Sequence, residues 1–402
     1  MMLFKIAFKN LSRQKTRTFA VLMTVALGIS SLMIYHGFNT GIMNQYRENT
    51  IHARYGHGQI NTAGYRDSIW EKPWEHWMDA NHPALLNLSN SKIVKNVFPR
   101  VSFYGLVNNG SRSISGLGEG VVGKIEAPFF NTINIIKGKN LSTEEDGIVM
   151  GRGLAEALGL DIGERVTILV NTVDGSLNGL DFYVTGIFHS GMKYFDDVFF
   201  KIQLDKAQGL LDTKKIEYAA VGLHDIENWG KLTDSVKKYP DLESTAFNVL
   251  DKVYYQNSVD FLQAQFNFIL IVIFTIVVLG IFNTVSTIIM ERKNEIGNLR
   301  ANGESKKEVM TLVLTEGLLL GIIGTVAGIV IAYLLNYTLL SQGIEMPPGP
   351  GITRQFITKI ELQAYFIFIC LFIGTFSTLI GSYLAGRKVI RMPISDLLRN
   401  AL

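Results

Sequence analysis

The stretch that decides the fold is Glu291–Val309, "ERKNEIGNLRANGESKKEV". It carries both signs of charge and lies between two long apolar runs, Phe261–Met290 before it and Met310–Leu340 after it. Ser305 followed by Glu308 has the S-x-x-E form of a capping box, so a helix starts there and runs into the second apolar stretch. Gly303, just ahead, suits the left-handed residue that ends a helix. The string therefore reads as a short polar helix, a one-turn break, and a new helix heading back. A chain that leaves a membrane and re-enters it on the same side has this pattern. The charges then either fix topology and keep the loop hydrated, or they form a docking element for a cytoplasmic protein. Spacing alone leaves both open.

Working outward, two further apolar runs, Thr18–Tyr35 and Leu362–Gly386, contain no charged residue, and Met310–Leu340 is interrupted only by Glu316. Each of the four is long enough to cross a hydrocarbon core of about 30 Å. The run ending at Met290 would be about 45 Å long as a helix, so it should protrude as a stalk. The first run, continued to Tyr46, suggests the same. That first run is too long for a signal peptide and no A-x-A-like site closes it, so it reads as a retained anchor. The predicted fold is an α-helical membrane protein with four transmembrane helices (1 + 3) and a large α+β extracytoplasmic domain between helices 1 and 2. The expected segments are an amphipathic interfacial helix at 1–17, helix 1 and stalk at 18–46, the outer domain at 47–258, and stalk and helix 2 at 259–290. The polar helix follows at 291–304, helix 3 at 305–340, an outer loop at 341–361, helix 4 at 362–386 and a tail at 387–402.

Composition agrees with that frame: 402 residues, 48% hydrophobic and 18% charged, an apolar balance unusual for a soluble chain of this length. A net charge of +3 does not suggest nucleic acid as a partner. The single cysteine, Cys370, allows no disulfide within the chain. Where the cations lie is more informative. Lys5, Lys9, Arg13, Lys15 and Arg17 precede the first run; Arg292, Lys293, Arg300, Lys306 and Lys307 crowd the polar string; Arg387, Lys388, Arg391 and Arg399 follow the last run. The 341–361 loop has only Arg354 and Lys359. Cationic loops stay inside, so both termini and the polar string are expected in the cytoplasm. Leu3, Phe4, Ala7, Phe8 and Leu11 recur at helical spacing among the N-terminal cations, the pattern of a helix lying on the inner membrane surface.

In the outer segment, Val166, Ile168 and Val170 alternate, as do Phe182 and Val184, with "NTVDGSLNG" (Asn171–Gly179) between them. This is a hairpin whose Asp174-Gly175 favours a tight turn. Gly151–Leu160 and Asp205–Leu211 read as short helices. Trp70, Trp74 and Trp77 fall at i, i+4, i+7, one face of a helix. That face is either packed or in contact with lipid headgroups, substrate or a partner.

Other chemistry is sparse. Glu316 lies about one turn inside the third span, where it either pairs with a basic neighbour or serves a function within the membrane. Gly317, Gly321, Gly324 and Gly328 make G-x-x-x-G pairs suited to close helix packing. His52 and His57 match no metal-ligand spacing, and no metal site is expected. No catalytic arrangement or H-E-x-x-H is present. No G-x-x-x-x-G-K-[ST] occurs either; "GVVGKI" around Lys124 lacks both the glycine spacing and the hydroxyl.

The residue order of "ERKNEIGNLRANG" resembles the coupling-helix motif of ABC-transporter permeases of the MacB/FtsX type, which include the lipoprotein-releasing LolC/LolE permeases. Glu291, Arg292, Glu295, Ile296, Gly297, Leu299, Arg300, Ala301 and Gly303 carry it. "KNLSRQKTRTFAVLMTVALGI", "GHGQINTAGY", "GIVMGRGLAEALGLDIGERVTILV" and "FYVTGIFHSGMKYFDDVFF" are similar to the family's first span and outer domain, so the resemblance covers most of the chain. "GIEMPPGPG" (Gly343–Gly351) and the tail "PISDLLR" are similar to the lipoprotein-releasing branch. The resemblance implies that the nine motif residues couple to a cytoplasmic ABC ATPase dimer, which carries the ATP and Mg; no cofactor is expected in this chain. It implies a second permease subunit, as homodimer or heterodimer, contact with membrane lipid, and residence in the bacterial cytoplasmic (inner) membrane. An extracytoplasmic carrier or adaptor is an open partner, and the short 171–179 loop argues against recruitment of a carrier through a long hairpin. The implied function is extraction or export of a lipoprotein, lipid-linked or amphipathic substrate from the outer leaflet. The alternative is FtsX-like mechanotransmission that activates an outer partner such as a cell-wall hydrolase.

Overall fold

The computed structural model describes residues 15–69, 71–142, 146–347 and 355–398. The interfacial helix expected at 1–17 falls almost wholly on residues outside this set. The chain divides into two compact units: Gln45–Ser258 with Met346–Phe356 forms one, and the rest forms the other.

The second of these units is helical. Among the described residues, four helices are long and apolar enough to cross a membrane. They are Lys15–Thr50, Asn257–Glu291, Lys306–Thr338 and Ala364–Ile390. The first has 36 residues and the second 35, each about 50 Å long, well beyond a hydrocarbon core. The third helix lies between two neighbours, and its glycines explain how. A Cβ on Gly317 or Gly321 would meet Ser382 or Thr378 of the fourth helix, and one on Gly324 or Gly328 would meet Val25 or Ala26 of the first, all closer than 3.0 Å. Lipid tails are as apolar as leucine, so helices associate in a bilayer through such close backbone approach rather than through hydrophobic drive. Val25, Ile29, Leu32, Phe366 and Cys370 fill the space between. His36, an imidazole within the first helix, is stacked on Phe366 with centroids 3.7 Å apart and lies 3.2 Å from the Tyr365 hydroxyl. The 341–361 loop contains strands not anticipated from sequence, β13 (Ile344–Met346) paired with β14 (Phe356–Thr358).

The other unit is built on one ten-stranded sheet. Its strands are β1 (Gly58–Thr62), β3 (Val94–Asn108), β4 (Ser113–Val121), β5 (Asn134–Gly138), β6 (Gly147–Gly151), β7 (Arg165–Asn171), β8 (Leu177–His189), β9 (Phe199–Gln203), β11 (Tyr218–Leu223) and β12 (Leu242–Ala246). Two-residue β2 (Met78–Asp79) and β10 (Lys215–Ile216) pair separately. The order is β12-β1-β11-β3-β4-β9-β6-β8-β5, and β7 pairs with both β3 and β8. That double pairing closes β3-β4-β9-β6-β8-β7 into a ring. Fifteen-residue β3 makes this possible, because residues 94–100 pair with β11 and residues 101–108 with β4 and then β7. The ring's interior holds Val101, Phe103, Ile148, Val166, Ile168, Phe182, Val184 and Phe200, plugged by Leu154, Leu158 and Leu210 from the helices Arg152–Leu158 and Leu204–Leu211. The predicted hairpin is β7–β8 in the register Val166↔Phe182, with only 172–176 outside the ladder and Gly175 at φ 85°.

Candidate functional site

The motif residues fold as a nine-residue helix, Lys293–Ala301, immediately after the second spanning helix ends at Glu291. It stops at Gly303, whose φ of 98° requires a residue without a Cβ. The N–H of Glu304 reaches the carbonyl of Leu299 and the N–H of Gly303 that of Arg300, the paired bonds of a Schellman ending. Ser305 then caps the third spanning helix: its hydroxyl accepts the Glu308 N–H, and the Glu308 carboxylate accepts the Ser305 N–H at 2.8 Å.

The helix has two faces with different work. On the inner face, Arg292 donates from Nη1 to Glu316 Oε2 at 2.6 Å and from Nε to Glu295 Oε2 at 3.0 Å. Glu316 is 7% exposed, so its charge is partnered by a cation from the polar string, which ties the short helix to the third span. Arg300 Nη1 donates to the backbone carbonyls of Ile390 and Met392, at 3.1 and 2.9 Å. Those carbonyls end the fourth spanning helix, whose last turn leaves acceptors without helical donors. The third anchor is steric. Ile296 and Gly297 are buried, and a Cβ at Gly297 would lie 2.9 Å from Leu397 Cβ. Leu397 belongs to a tail helix, Ile394–Leu398, packed against the short helix. Sequence reading missed this tail contact. A glycine in a helix interior costs about 1 kcal/mol relative to alanine, so Gly297 was the available signal of close approach.

The outer face is Glu291, Glu295, Asn298, Ala301 and Asn302, all exposed. Within the helix, Glu295, Asn298 and Ala301 at i, i+3 and i+6 make one stripe. The motif thus divides: Arg292, Ile296, Gly297 and Arg300 fix the helix to its surroundings, Leu299 is half-buried, and Glu291, Glu295, Ala301 and Gly303 face outward. Arg300 holds backbone carbonyls of the chain itself.

Trp74 and Trp77 do not share a helical face. A four-residue helix ends at Ser68, Lys72 has φ −128° and ψ 72°, and Pro73–His76 is a 3₁₀ turn. Proline at 73 excludes helical conformation from the residue before it. Trp74 is 37% exposed, whereas Trp77 is 7% exposed and packs in the ring core; Trp70 lies outside the described residues. Among those residues, no group of three or more metal-ligating side chains occurs. His52 Nδ1 lies 2.8 Å from the Phe129 carbonyl, and His57 Nδ1 accepts the Leu223 N–H at 3.0 Å.

Comparison with known proteins matches residues 18–239 to the MacB-like periplasmic core domain and residues 267–394 to the FtsX-like permease C-terminal region. The chain is 26% identical over 334 residues to the lipoprotein-releasing system transmembrane protein LolC of Neisseria meningitidis, covering 78% of this chain and 76% of that one. It is 25% identical over 345 residues to the lipoprotein-releasing system transmembrane protein LolE of Haemophilus influenzae, covering 81% and 79%. Among solved structures, the periplasmic region of MacB from Actinobacillus actinomycetemcomitans aligns with TM-score 0.37 at 14% identity, covering 48% of this chain and 90% of that one.

Proposed function

The chain belongs to the MacB/FtsX-like ABC permeases, multi-pass membrane proteins with a periplasmic-type domain that work with a partner ATPase, and on that premise we propose that it couples ATP hydrolysis to removal of a lipoprotein or other lipid-linked amphiphile from the outer leaflet of a bacterial cytoplasmic membrane. The observation that carries this reading is the division of the Lys293–Ala301 helix. Its inner face is anchored at Glu316, Ile390 and Leu397, while Glu295, Asn298 and Ala301 form an exposed outer stripe. A helix fixed to both the third and fourth spans is suited to pass a push from a docked ATPase into both. Permease subunits pair in this reading, and both termini lie in the cytoplasm.

The test is Glu295→Lys. It reverses a charge on the outer stripe, removes only the 3.0 Å contact with Arg292, and leaves the Arg292–Glu316 pair in place. The expected result is normal membrane insertion, loss of ATP-dependent lipoprotein release, and an ATPase no longer stimulated by substrate. Wild-type stimulation in this variant would remove the helix from the coupling path. A second reading, mechanotransmission to an outer partner without transport, draws support from the 36- and 35-residue first and second helices. Release of a lipid-anchored protein from spheroplasts separates the two, since the second reading predicts none.

A further inference from the structure

The cytoplasmic platform has an element that the proposed coupling does not use. Pro393 begins the tail helix, and the N–H groups of Asp396 and Leu397 both bond to its carbonyl. Leu397 is fully buried beneath Gly297, and Arg300 grips the carbonyls on either side of the exposed Arg391. The tail is therefore held in register against the coupling helix at three places. Its other side is open: Ser395 and Asp396 are exposed, and Leu398 is 41% exposed although its Cδ2 lies 3.0 Å from where a Gly297 Cβ would stand. Leu398 thus borders the coupling helix at Gly297, one helical turn from the exposed Ala301.

We infer that the tail helix is a second contact for the ATPase subunit, whose docking surface covers Asp396 and Leu398 together with the coupling helix. The inference rests on the coupling reading above, and continuity of surface argues for that occupant. Asn298 and Ala301, exposed, flank Gly297 on the coupling helix, and Leu398 lies against Gly297, so a soluble subunit seated on that stripe meets the tail at its edge. A half-exposed leucine beside a carboxylate is an ordinary interface edge, an apolar anchor bordered by a polar rim.

Photoreactive residues in place of Asp396, Leu398 and Glu295, one at a time in the full-length permease co-expressed with its ATPase, test this directly. Crosslinks to the ATPase from 396 and 398 as well as from 295 are expected. In parallel, Asp396→Lys, a change at an exposed position, should lower the ATPase retained on the solubilised permease about three- to tenfold. Crosslinking from 295 alone, with wild-type retention in Asp396→Lys, overturns the tail contact and leaves the coupling reading standing. Crosslinks from 396 and 398 to lipid only overturn it as well. Silence at all three positions removes both the tail contact and the coupling reading.

Discussion

Arg300 shows how a single residue of the motif can serve the chain's own packing. Its guanidinium is occupied by two backbone carbonyls at the end of the fourth spanning helix, so its loss should loosen the tail before it affects docking. Arg300→Met leaves those carbonyls short of a donor, at a cost of about 1–2 kcal/mol. Trypsin cleavage at exposed Arg391 should then speed up roughly tenfold, while Glu295→Lys leaves the cleavage rate unchanged. Equal rates in the two variants would return Arg300 to the docking face. His57, in the outer unit, supports a pH prediction. Burial, with His52 nearby, pushes its pKa down from 6.5 to about 4. The folded pKa lies below the unfolded one, so its contribution is complete above about pH 6.5 and is lost as pH falls toward 4, by about 3 kcal/mol at most. His57→Asn keeps an acceptor for the Leu223 N–H and should flatten the acid side of the melting-temperature profile between pH 6.5 and 4. A variant profile parallel to that of wild type would show that other groups set the acid limb.

At the scale of elements, two π-helical turns within the outer unit are the informative places. The first long helix ends in a π-helical turn, Ile51–Tyr55, and a second such turn, Lys252–Gln256, precedes the second long helix. π-turns are uncommon and mark functional positions. The first is held by Arg100, which is fully buried: Nη1 donates to the Arg54 carbonyl at 2.7 Å, while Nε and Nη2 make a two-bond clamp with Glu126 at 2.8 and 2.7 Å. Glu119 accepts from Arg100 and from the Tyr218 hydroxyl, and Arg100 and Lys201 keep its carboxylate ionised against the cost of burial. Arg100→Met would leave two buried carboxylates, Glu119 and Glu126, sharing Lys201 at 3.7 and 3.3 Å, at a cost of about 3–5 kcal/mol and on the order of 10 °C in melting temperature for a domain this size. Restoring half or more of that loss with Arg100→Met plus Glu126→Leu would confirm that the cost is unpaired charge rather than lost packing. None of this joint was legible in the sequence, because Arg100, Glu119 and Glu126 lie on separate elements brought together by sheet pairing. The β7–β8 hairpin was legible, since alternation and Asp174-Gly175 are local signals. The tryptophan spacing runs across Pro73, which breaks the helix that such spacing requires. Trp77→Ala should therefore lower the outer unit's stability by about 3–5 kcal/mol, and Trp74→Ala should leave it near wild type; comparable losses in both would restore a shared packed face.

For the whole molecule, the sequence exposed the order of parts more readily than their closure. The four spanning helices follow from apolar length alone, and the short polar helix between the second and third from the capping box and Gly303. Closure of the outer sheet through β3–β7 pairing depends on residues some 60 positions apart, which no local pattern records. Orientation is a property of the same whole-chain scale, and it rests on where the lysines and arginines lie. The chain offers a clean way to test it, because its single cysteine, Cys370, is buried. With Cys370 replaced by Ala, a membrane-impermeant thiol reagent can report on one introduced cysteine at a time. Asn302 is exposed beside Gly303, and Asp174 lies in the 172–176 turn; neither takes part in a core. Asp174→Cys should react in intact spheroplasts, while Asn302→Cys should react only after the membrane is opened or in inverted vesicles. The cationic clusters at 291–309 and 387–399 demand that result, because moving so many charges across the bilayer during insertion is far costlier than retaining them. If Asn302→Cys reacted from outside while Asp174→Cys stayed protected, the coupling helix would face away from every cytoplasmic ATPase, and the proposed mechanism would fall with the topology.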